Sequence, residues 1–98
     1  MKDSEREIKA KIRRYLKTVD YLKVISYCPY PYGESGTPDL VGCYKGHMVL
    51  IEVKAPGKRL SVLQAKRKKE WEYNGATVIV AHCVDEVKEV INKLIKGE

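Results

Sequence analysis

The stretch GTPDLVGCYKGHMVLIEVKAPGKRLSVLQ, residues 36–64, decides the fold. Two largely apolar runs within it, DLVGCY and HMVLIEVK, flank the dipeptide Lys45-Gly46. Two such runs around a two-residue turn that ends in glycine predict a tight β-hairpin. Charged side chains nevertheless interrupt these apolar strands at Asp39, Glu52 and Lys54. The register of the hairpin therefore decides where those three side chains lie.

The register predicts that the three charged side chains converge. Counting outward from the turn places Asp39 directly opposite Glu52, and directly opposed residues share a face with Cβ atoms roughly 5 Å apart. Side chains alternate along a strand, so Lys54 shares that face with Glu52. A slip of one residue would break this alignment, so the expectation depends on the turn.

Two carboxylates at this distance repel each other unless a cation lies between them. Lys54 can supply that charge, and a divalent metal is the alternative. Mg²⁺ prefers one or two carboxylates together with waters and phosphate oxygens. A lysine beside a metal-bound water can orient it or help to deprotonate it. The residues alone leave both explanations open.

Each of these side chains also has a purely structural explanation. Asp39 suits a turn at the end of a loop, and Glu52 and Lys54 suit the polar face of an edge strand. Met48 and Leu50 precede them on the same face, which indicates that this face is mostly buried and weighs against the structural explanation.

Two more polar residues, Glu5 and Gln64, allow two roles each. Glu5 lies on the apolar stripe of the first predicted helix, where a carboxylate is costly unless it is paired, hydrogen-bonded or metal-linked. Its alternative role is a favourable interaction with the helix dipole, worth under about 1 kcal/mol. Gln64 forms a capping box with Ser61, and the residue chemistry alone favours that role over a place in the site.

The rest of the chain predicts three helices and two further strands. Capping signals and apolar residues at helical spacing indicate the helices, and β-branched or aromatic runs indicate the strands. The helices are expected at residues 4–18, 61–74 and 84–96, the strands at 21–28 and 76–83, and a proline-rich loop at 29–38. The apolar run ATVIVAHC is expected to be covered on both faces. A strand, a helix and a strand in succession imply a parallel pair, so the sheet is expected to be mixed.

Length and charge bound the class of protein. A chain of 98 residues predicts a single domain over residues 1–98. The net charge of +6 favours a polyanionic partner. No apolar run approaches about 20 residues, so no membrane span is expected, and the charged N-terminal segment is unlike a signal peptide.

The cysteines indicate a reducing compartment. Cys28, Cys43 and Cys83 are odd in number, widely spaced and without a CxxC pair, which disfavours a disulfide framework. A zinc site built from them with His47 and His82 is disfavoured, because no two of these ligands have the usual close spacing.

The pattern Pro38-Asp39, twelve intervening residues and then Glu52-Val53-Lys54 resembles the signature of PD-(D/E)xK nucleases. More of the chain agrees with one family. The segments SEREI, GTPDL and IEVKAPGKRLSVLQ, with Gly75 following eleven residues after Gln64, resemble the VRR-NUC family. The similarity extends from Ser4 to about residue 80. The second helix departs from the family pattern because it is very polar, and Trp71 is expected to anchor it in the core.

The resemblance implies a restriction-endonuclease-like α/β fold with an αβββαβ core, in which helices flank a mixed central sheet. It also implies a catalytic set. Asp39, Glu52 and the backbone carbonyl of Val53 would hold Mg²⁺ or Mn²⁺, and Glu5 would complete the metal shell through water. Lys54 would position or activate the attacking water, and Gln64 would orient Lys54 or the substrate phosphate.

Basic residues close to the motif indicate a nucleic-acid interface. A DNA backbone following the loop and the start of the second helix would meet Lys58, Arg59, Lys66, Arg67, Lys68 and Lys69, and each phosphate contact would steepen the salt dependence of affinity. The alternative is a solvated helix face. Tyr27, Tyr30 and Tyr32 around the proline-rich loop can stack on bases or pack the loop. No base-reading motif is present, which favours recognition of DNA shape.

Stand-alone members of the family are similar to homodimeric Holliday-junction resolvases, and a two-fold dimer matches the symmetry of a four-way junction. The expected function is therefore a dimeric, metal-dependent endonuclease that cleaves four-way junctions, located in a phage-infected or bacterial cytoplasm. Two alternatives remain: a flap or duplex nuclease of the same chemistry, and a DNA-binding module with weak catalysis.

Overall fold

The computed structural model describes residues 3–26 and 35–97. Over these residues the chain forms three helices and four strands in the order αβββαβα. The elements are α1 (Glu5–Leu16), β1 (Leu22–Ser26), β2 (Leu40–Tyr44), β3 (His47–Val53), α2 (Val62–Tyr73), β4 (Thr77–Ala81) and α3 (Val84–Lys96). The predicted order and the αβββαβ core are confirmed.

The four strands form one mixed sheet in the order β1-β2-β3-β4. β1 and β2 pair antiparallel, as do β2 and β3, whereas β3 and β4 are parallel and α2 connects them. A parallel pair needs a crossover of this kind, because the chain must return to the same edge before the next strand begins. The prediction of a mixed sheet flanked by helices is confirmed.

The β2–β3 hairpin has the predicted register. Tyr44 pairs with His47 and Leu40 pairs with Ile51. The two turn residues both have positive φ, 47° at Lys45 and 87° at Gly46. This backbone is that of a type I′ turn, whose twist matches the twist of the strands that it joins.

The main core lies on one face of the sheet, beneath α1 and α3. Alternate residues of β3 point into it, since side chains alternate along a strand. Its fully or nearly fully buried members are Ile8, Ile12, Leu16, Leu40, Tyr44, Val49, Ile51, Val53, Ile79, Ala81, Val87 and Ile91. α1 begins at a capping box that Ser4 forms with Glu7, so its apolar stripe starts at a defined residue.

The opposite face of the sheet is covered much less completely. α2 contacts β4 but buries none of its own residues. Two expectations are corrected here. Trp71 is only half-buried and lies outside the main core, and β4 buries Ile79 and Ala81 on one face while Val78 and Val80 on the other face remain half-buried. The reason is that polar side chains occupy most of the positions of α2 that face the sheet.

Several expectations fall wholly or partly outside the described residues. These are the roles of Tyr27, Tyr30 and Tyr32, most of the loop at residues 29–38, and Cys28. Cys43 and Cys83 are free and exposed. Within residues 3–26 and 35–97, no helix is both long and apolar enough to cross a membrane.

Gly42 in β2 allows a close approach of β1. A Cβ atom at this position would lie 2.5 Å from the carbonyl oxygen of Lys23 and 2.6 Å from Cγ2 of Val24. We therefore expect Gly42→Ala to lower the free energy of unfolding by about 1–3 kcal/mol, as overpacking does. Urea denaturation measures this loss. Cys43→Ala, at the exposed neighbouring position, is the control and should change stability by less than about 0.5 kcal/mol. Equal stability of the two variants would contradict the prediction.

Candidate active site

Asp39 and Glu52 meet at one end of the β2–β3 hairpin. Asp39 directly precedes β2, and the observed register carried one residue further places it opposite Glu52. Glu52 is only 4% exposed and is the one buried polar or charged residue among residues 3–26 and 35–97. The structure thus brings together the two carboxylates that the sequence predicted to be neighbours.

Each carboxylate has its own set of donors. Oδ2 of Asp39 accepts a hydrogen bond of 2.9 Å from the backbone N–H of Val53. Oε1 of Glu52 accepts a hydrogen bond of 3.2 Å from Nε2 of Gln64 and lies 3.9 Å from Nζ of Lys54. Lys54 is held in turn by its backbone N–H, which donates to the carbonyl of Ala81 at 2.9 Å.

The surroundings of Glu52 disfavour its ionised form. The pKa of the Glu52 carboxyl is raised from its ordinary value of 4.5 to about 7, and burial is the largest cause. The charge of Asp39, a hydrogen bond with it and the charge of Glu5 contribute to the rise, and the ammonium of Lys54 opposes it. The ammonium of Lys54 therefore offsets only part of the effect of burial and of the second carboxylate.

Gln64 forms the predicted capping box and also contacts Glu52. Its Oε1 accepts a hydrogen bond of 2.9 Å from the backbone N–H of Ser61, which completes the capping box at the start of α2. Its Nε2 donates to Glu52. The amide group has an acceptor at one end and a donor at the other, so the cap orients the donor toward the carboxylate.

Glu5 is the first residue of α1 and is exposed. Its charge contributes to the raised pKa of Glu52. Its part in a metal shell stays a prediction.

The donors present fit a hard divalent cation. The carboxylates of Asp39 and Glu52 and the peptide of Val53 lie within hydrogen-bonding contact of one another, and oxygen ligands of this kind are those that Mg²⁺ and Mn²⁺ prefer. Across the described part of the chain, no group of three or more His, Cys, Asp and Glu side chains is placed to hold a metal ion.

The start of α2 is attached to the segment that leads into Asp39. Gly36 has φ of +81°, and a Cβ atom there would lie 2.9 Å from Cγ of Leu63 and 3.1 Å from Cγ of Arg67. Nε of Arg67 also donates to the carbonyl of Ser35 at 3.4 Å. The sequence reasoning missed this contact, because a glycine in a loop with three prolines is already explained by the loop itself.

Lys58 and Arg59 are exposed on the loop between β3 and α2. Together with His82 they border a cleft of about 580 Å³. The carbonyl of Lys58 lies 2.9 Å from Nε2 of His82, which ties the loop to the end of β4. Leu60 and Val80 line this cleft and also the narrow cavity beside Glu52, so the basic cleft is a neighbour of the site.

The four basic residues at positions 66–69 do not form one patch. Successive helical residues are about 100° apart, so the run is distributed around α2. Lys66 and Lys69 are exposed, whereas Lys68 is half-buried and lines the cavity that contains Glu52 and Gln64. Arg67 pairs with Glu70 at 2.9 Å. Lys68 therefore belongs to the site, whereas the sequence analysis placed it in a surface run of basic residues. Its spacing of four residues from Gln64 indicated that the two side chains share one face of α2.

The raised pKa of Glu52 predicts a pH-dependent cost to stability. Between pH 4.5 and 7 the folded chain retains a proton on Glu52 that the unfolded chain has released. The free energy of unfolding therefore falls as the pH rises through this window, by up to about 3 kcal/mol. We expect urea denaturation in a metal chelator to show this fall for wild type and to show it much reduced for Glu52→Gln. Glu89→Gln, at an exposed position, should behave like wild type, and identical pH slopes for all three would contradict the prediction.

The close contact at Gly36 predicts a second effect on stability. Gly36→Ala introduces both backbone strain at φ +81° and a clash with Leu63. Gly57→Ala is a matched control, since Gly57 has φ of +82° but nothing within 4 Å of an added Cβ. We expect both variants to lose about 1–3 kcal/mol from strain, and Gly36→Ala to lose about 1 kcal/mol more from the clash. Chemical denaturation of the pair tests this, and an equal loss would show that α2 tolerates the added methyl group.

Comparison with known proteins bears on the fold. No family model and no curated protein matches the sequence. Two solved structures are similar over nearly the whole chain. A "VRR_NUC domain protein" superposes with a TM-score of 0.75 at 21% identity, covering 98% of this chain and 91% of its own. A "VRR_NUC domain" superposes with a TM-score of 0.74 at 21% identity, covering 92% and 97% respectively. The chain therefore has the fold of a VRR_NUC domain.

Proposed function

We propose that the chain is a VRR-NUC nuclease of the PD-(D/E)xK superfamily, a metal-dependent endonuclease that hydrolyses DNA phosphodiester bonds. One observation carries the proposal. Gln64 and Lys54 both approach Oε1 of Glu52, and Glu52 in turn interacts with Asp39, in a chain with this fold. The polar residues of the sequence motif therefore form one contiguous cluster.

The proposed cofactor is Mg²⁺ or Mn²⁺. Asp39, Glu52 and the carbonyl of Val53 would hold it directly, and Glu5 would contribute through water. When bound, the cation would polarise the phosphate and stabilise the charge that develops on it. It would also supply the positive charge that the buried pair of carboxylates needs, and so favour the ionised form of Glu52.

Lys54 is the proposed residue that holds the attacking water. Its side chain is only 17% exposed, and the strand pairing of its backbone fixes the direction from which the ammonium enters the site. An ammonium is a donor of three hydrogen bonds with no acceptor of its own. It can therefore donate to Glu52 and to a water at the same time, which orients a lone pair of that water toward the phosphorus atom.

Gln64 is proposed to act through Glu52. Its amide oxygen is engaged by the capping box and its amide nitrogen by Oε1 of Glu52. The bond to Oε1 restricts rotation of the carboxylate and so fixes the direction in which Glu52 presents its oxygens. A rotation of that kind would displace both the proposed cation and Lys54.

The proposed substrate contacts follow the cleft beside the site. Lys58 and Arg59 border the cleft that shares Leu60 and Val80 with the cavity beside Glu52, and cations along such a cleft attract a phosphate backbone. Lys66 and Lys69 lie on the exposed side of α2 and are left out of this track. The preferred substrate is a four-way junction bound by a homodimer, because two sites related by a two-fold axis can cut two strands symmetrically.

Cleavage of a labelled four-way junction tests the proposed function. Wild type with Mg²⁺ or Mn²⁺ should make paired symmetric cuts, and Lys54→Ala should lower the rate by at least about 10²-fold while junction binding persists. Lys93→Ala removes an exposed lysine from α3 on the other side of the sheet and is the matched control. Sedimentation of the protein at the assay concentration should show a dimer.

The remaining outcomes separate the alternatives. Cutting of flap or linear duplex alone, or a strictly monomeric protein, would retain the chemistry and reject the junction. Binding without cutting in either metal would favour a DNA-binding module. Equal rates for Lys54→Ala and wild type would reject the assigned role of Lys54.

A further inference from the structure

The side of α2 that faces the sheet is unusually polar. The half-buried positions of this helix are Gln64, Ala65, Arg67, Lys68 and Trp71, and none of its residues is fully buried. A helix that covers a sheet normally places an apolar stripe there. Polar residues at such positions lower the stability of the fold. Proteins retain polar residues in place of an apolar stripe mostly at functional sites.

Lys68 is the exception that reaches the site. It lies one helical turn after Gln64 and lines the same narrow cavity as Gln64 and Glu52. Its neighbour Lys69 points outward and is exposed. Lys68 is the lysine that lines this cavity. Lys54, directly after β3, approaches Glu52 separately, with its Nζ 3.9 Å from Oε1.

The ammonium of Lys68 is held by a partner that can release it. Nζ lies 2.8 Å from Oε2 of Glu72, in a pair separated by four residues along α2. The side chains are 31% and 42% exposed, and ion pairs of this kind contribute only about 0.3–0.5 kcal/mol. A phosphate oxygen brought close to Glu52 would be a competitive acceptor, because charge-assisted bonds to phosphate are strong.

We propose that Lys68 binds the non-bridging oxygens of the scissile phosphate, and that its ammonium leaves Glu72 when the substrate enters. The inference rests on the proposed nuclease function. It gives the two lysines separate tasks, since Lys54 orients the water and Lys68 neutralises charge on the phosphate. A cation beside the phosphate stabilises the negative charge that develops there in the transition state.

Two variants of neighbouring residues test this role. Lys68→Ala and Lys69→Ala remove the same charge and the same side chain from the same helix, but only the first alters the cavity. Under single-turnover conditions on the DNA that wild type cuts, we expect Lys68→Ala to reduce the cleavage rate about 10²-fold and Lys69→Ala to change it less than about 3-fold. Lys68→Arg should cleave at least about tenfold faster than Lys68→Ala, because a guanidinium also binds phosphate.

Binding to the same DNA in a chelator gives a readout that does not depend on cleavage. Lys68→Ala should lower the slope of log affinity against log salt concentration by about one, and Lys69→Ala should leave it unchanged. Glu72→Gln removes the resting partner of Lys68. It should leave the salt slope close to the wild-type value and the cleavage rate within about 3-fold of wild type. Urea denaturation of each variant confirms that it folds, and Lys68→Met replaces Lys68→Ala if the smaller side chain unfolds the protein.

The outcomes separate this inference from the function on which it rests. If wild type cuts DNA and Lys68→Ala matches Lys69→Ala in rate and slope, the role of Lys68 is overturned and the nuclease stands. If wild type cuts nothing in Mg²⁺ or Mn²⁺, the nuclease fails, and the change in binding slope still decides whether Lys68 contacts a phosphate. A tenfold loss of rate in Glu72→Gln would overturn the exchange of partners.

Discussion

The register of the β2–β3 hairpin is the constraint on which the core and the candidate site both depend. A type I′ turn at Lys45-Gly46 pairs Leu40 with Ile51, so alternate residues of β3 face the core beneath α1 and α3. A slip by one residue would turn Glu52 into that apolar core and turn Ile51 and Val53 out of it. The same packing energy that forms the core therefore holds Glu52 opposite Asp39.

That arrangement places an electrostatic cost at the site. A carboxylate that is 4% exposed and adjacent to a second carboxylate retains its proton to a higher pH than usual. Gln64 and Lys54 offset part of the cost, and a divalent cation is the chemically suitable group to offset the rest. Charged side chains that are buried at a cost to the stability of the fold are typical of sites that bind ions or substrates.

α2 is attached in a different way from the other helices. α1 and α3 pack apolar side chains into the core, whereas α2 relies on its capping box, on the close approach of Gly36 to Leu63 and on the bond from Gln64 to Glu52. A helix with few buried apolar contacts belongs to the less stable part of a fold. The proposed roles of Gln64 and Lys68 give a reason for its polar inner side, since both line the cavity beside Glu52.

Much of this protein could be predicted from the sequence because the decisive signals are local. Alternation along β3, a two-residue turn and two capping boxes depend on neighbouring residues, so the element order, the hairpin register and the meeting of Asp39 with Glu52 follow from spacing alone. The two roles of Gln64 looked like competing choices in the sequence. They are compatible in three dimensions, because the amide has two ends.

Tertiary structure decided how α2 is turned against the sheet. That rotation places Lys68 in the cavity, leaves Lys66 and Lys69 on the outside and keeps Trp71 from the main core. Periodicity normally reveals such a rotation through an apolar stripe, and the polar sequence of α2 lacks a clear one. The orientation is determined instead by contacts with residues distant along the chain, above all Gly36 and Glu52, and spacing within a helix carries no information about them.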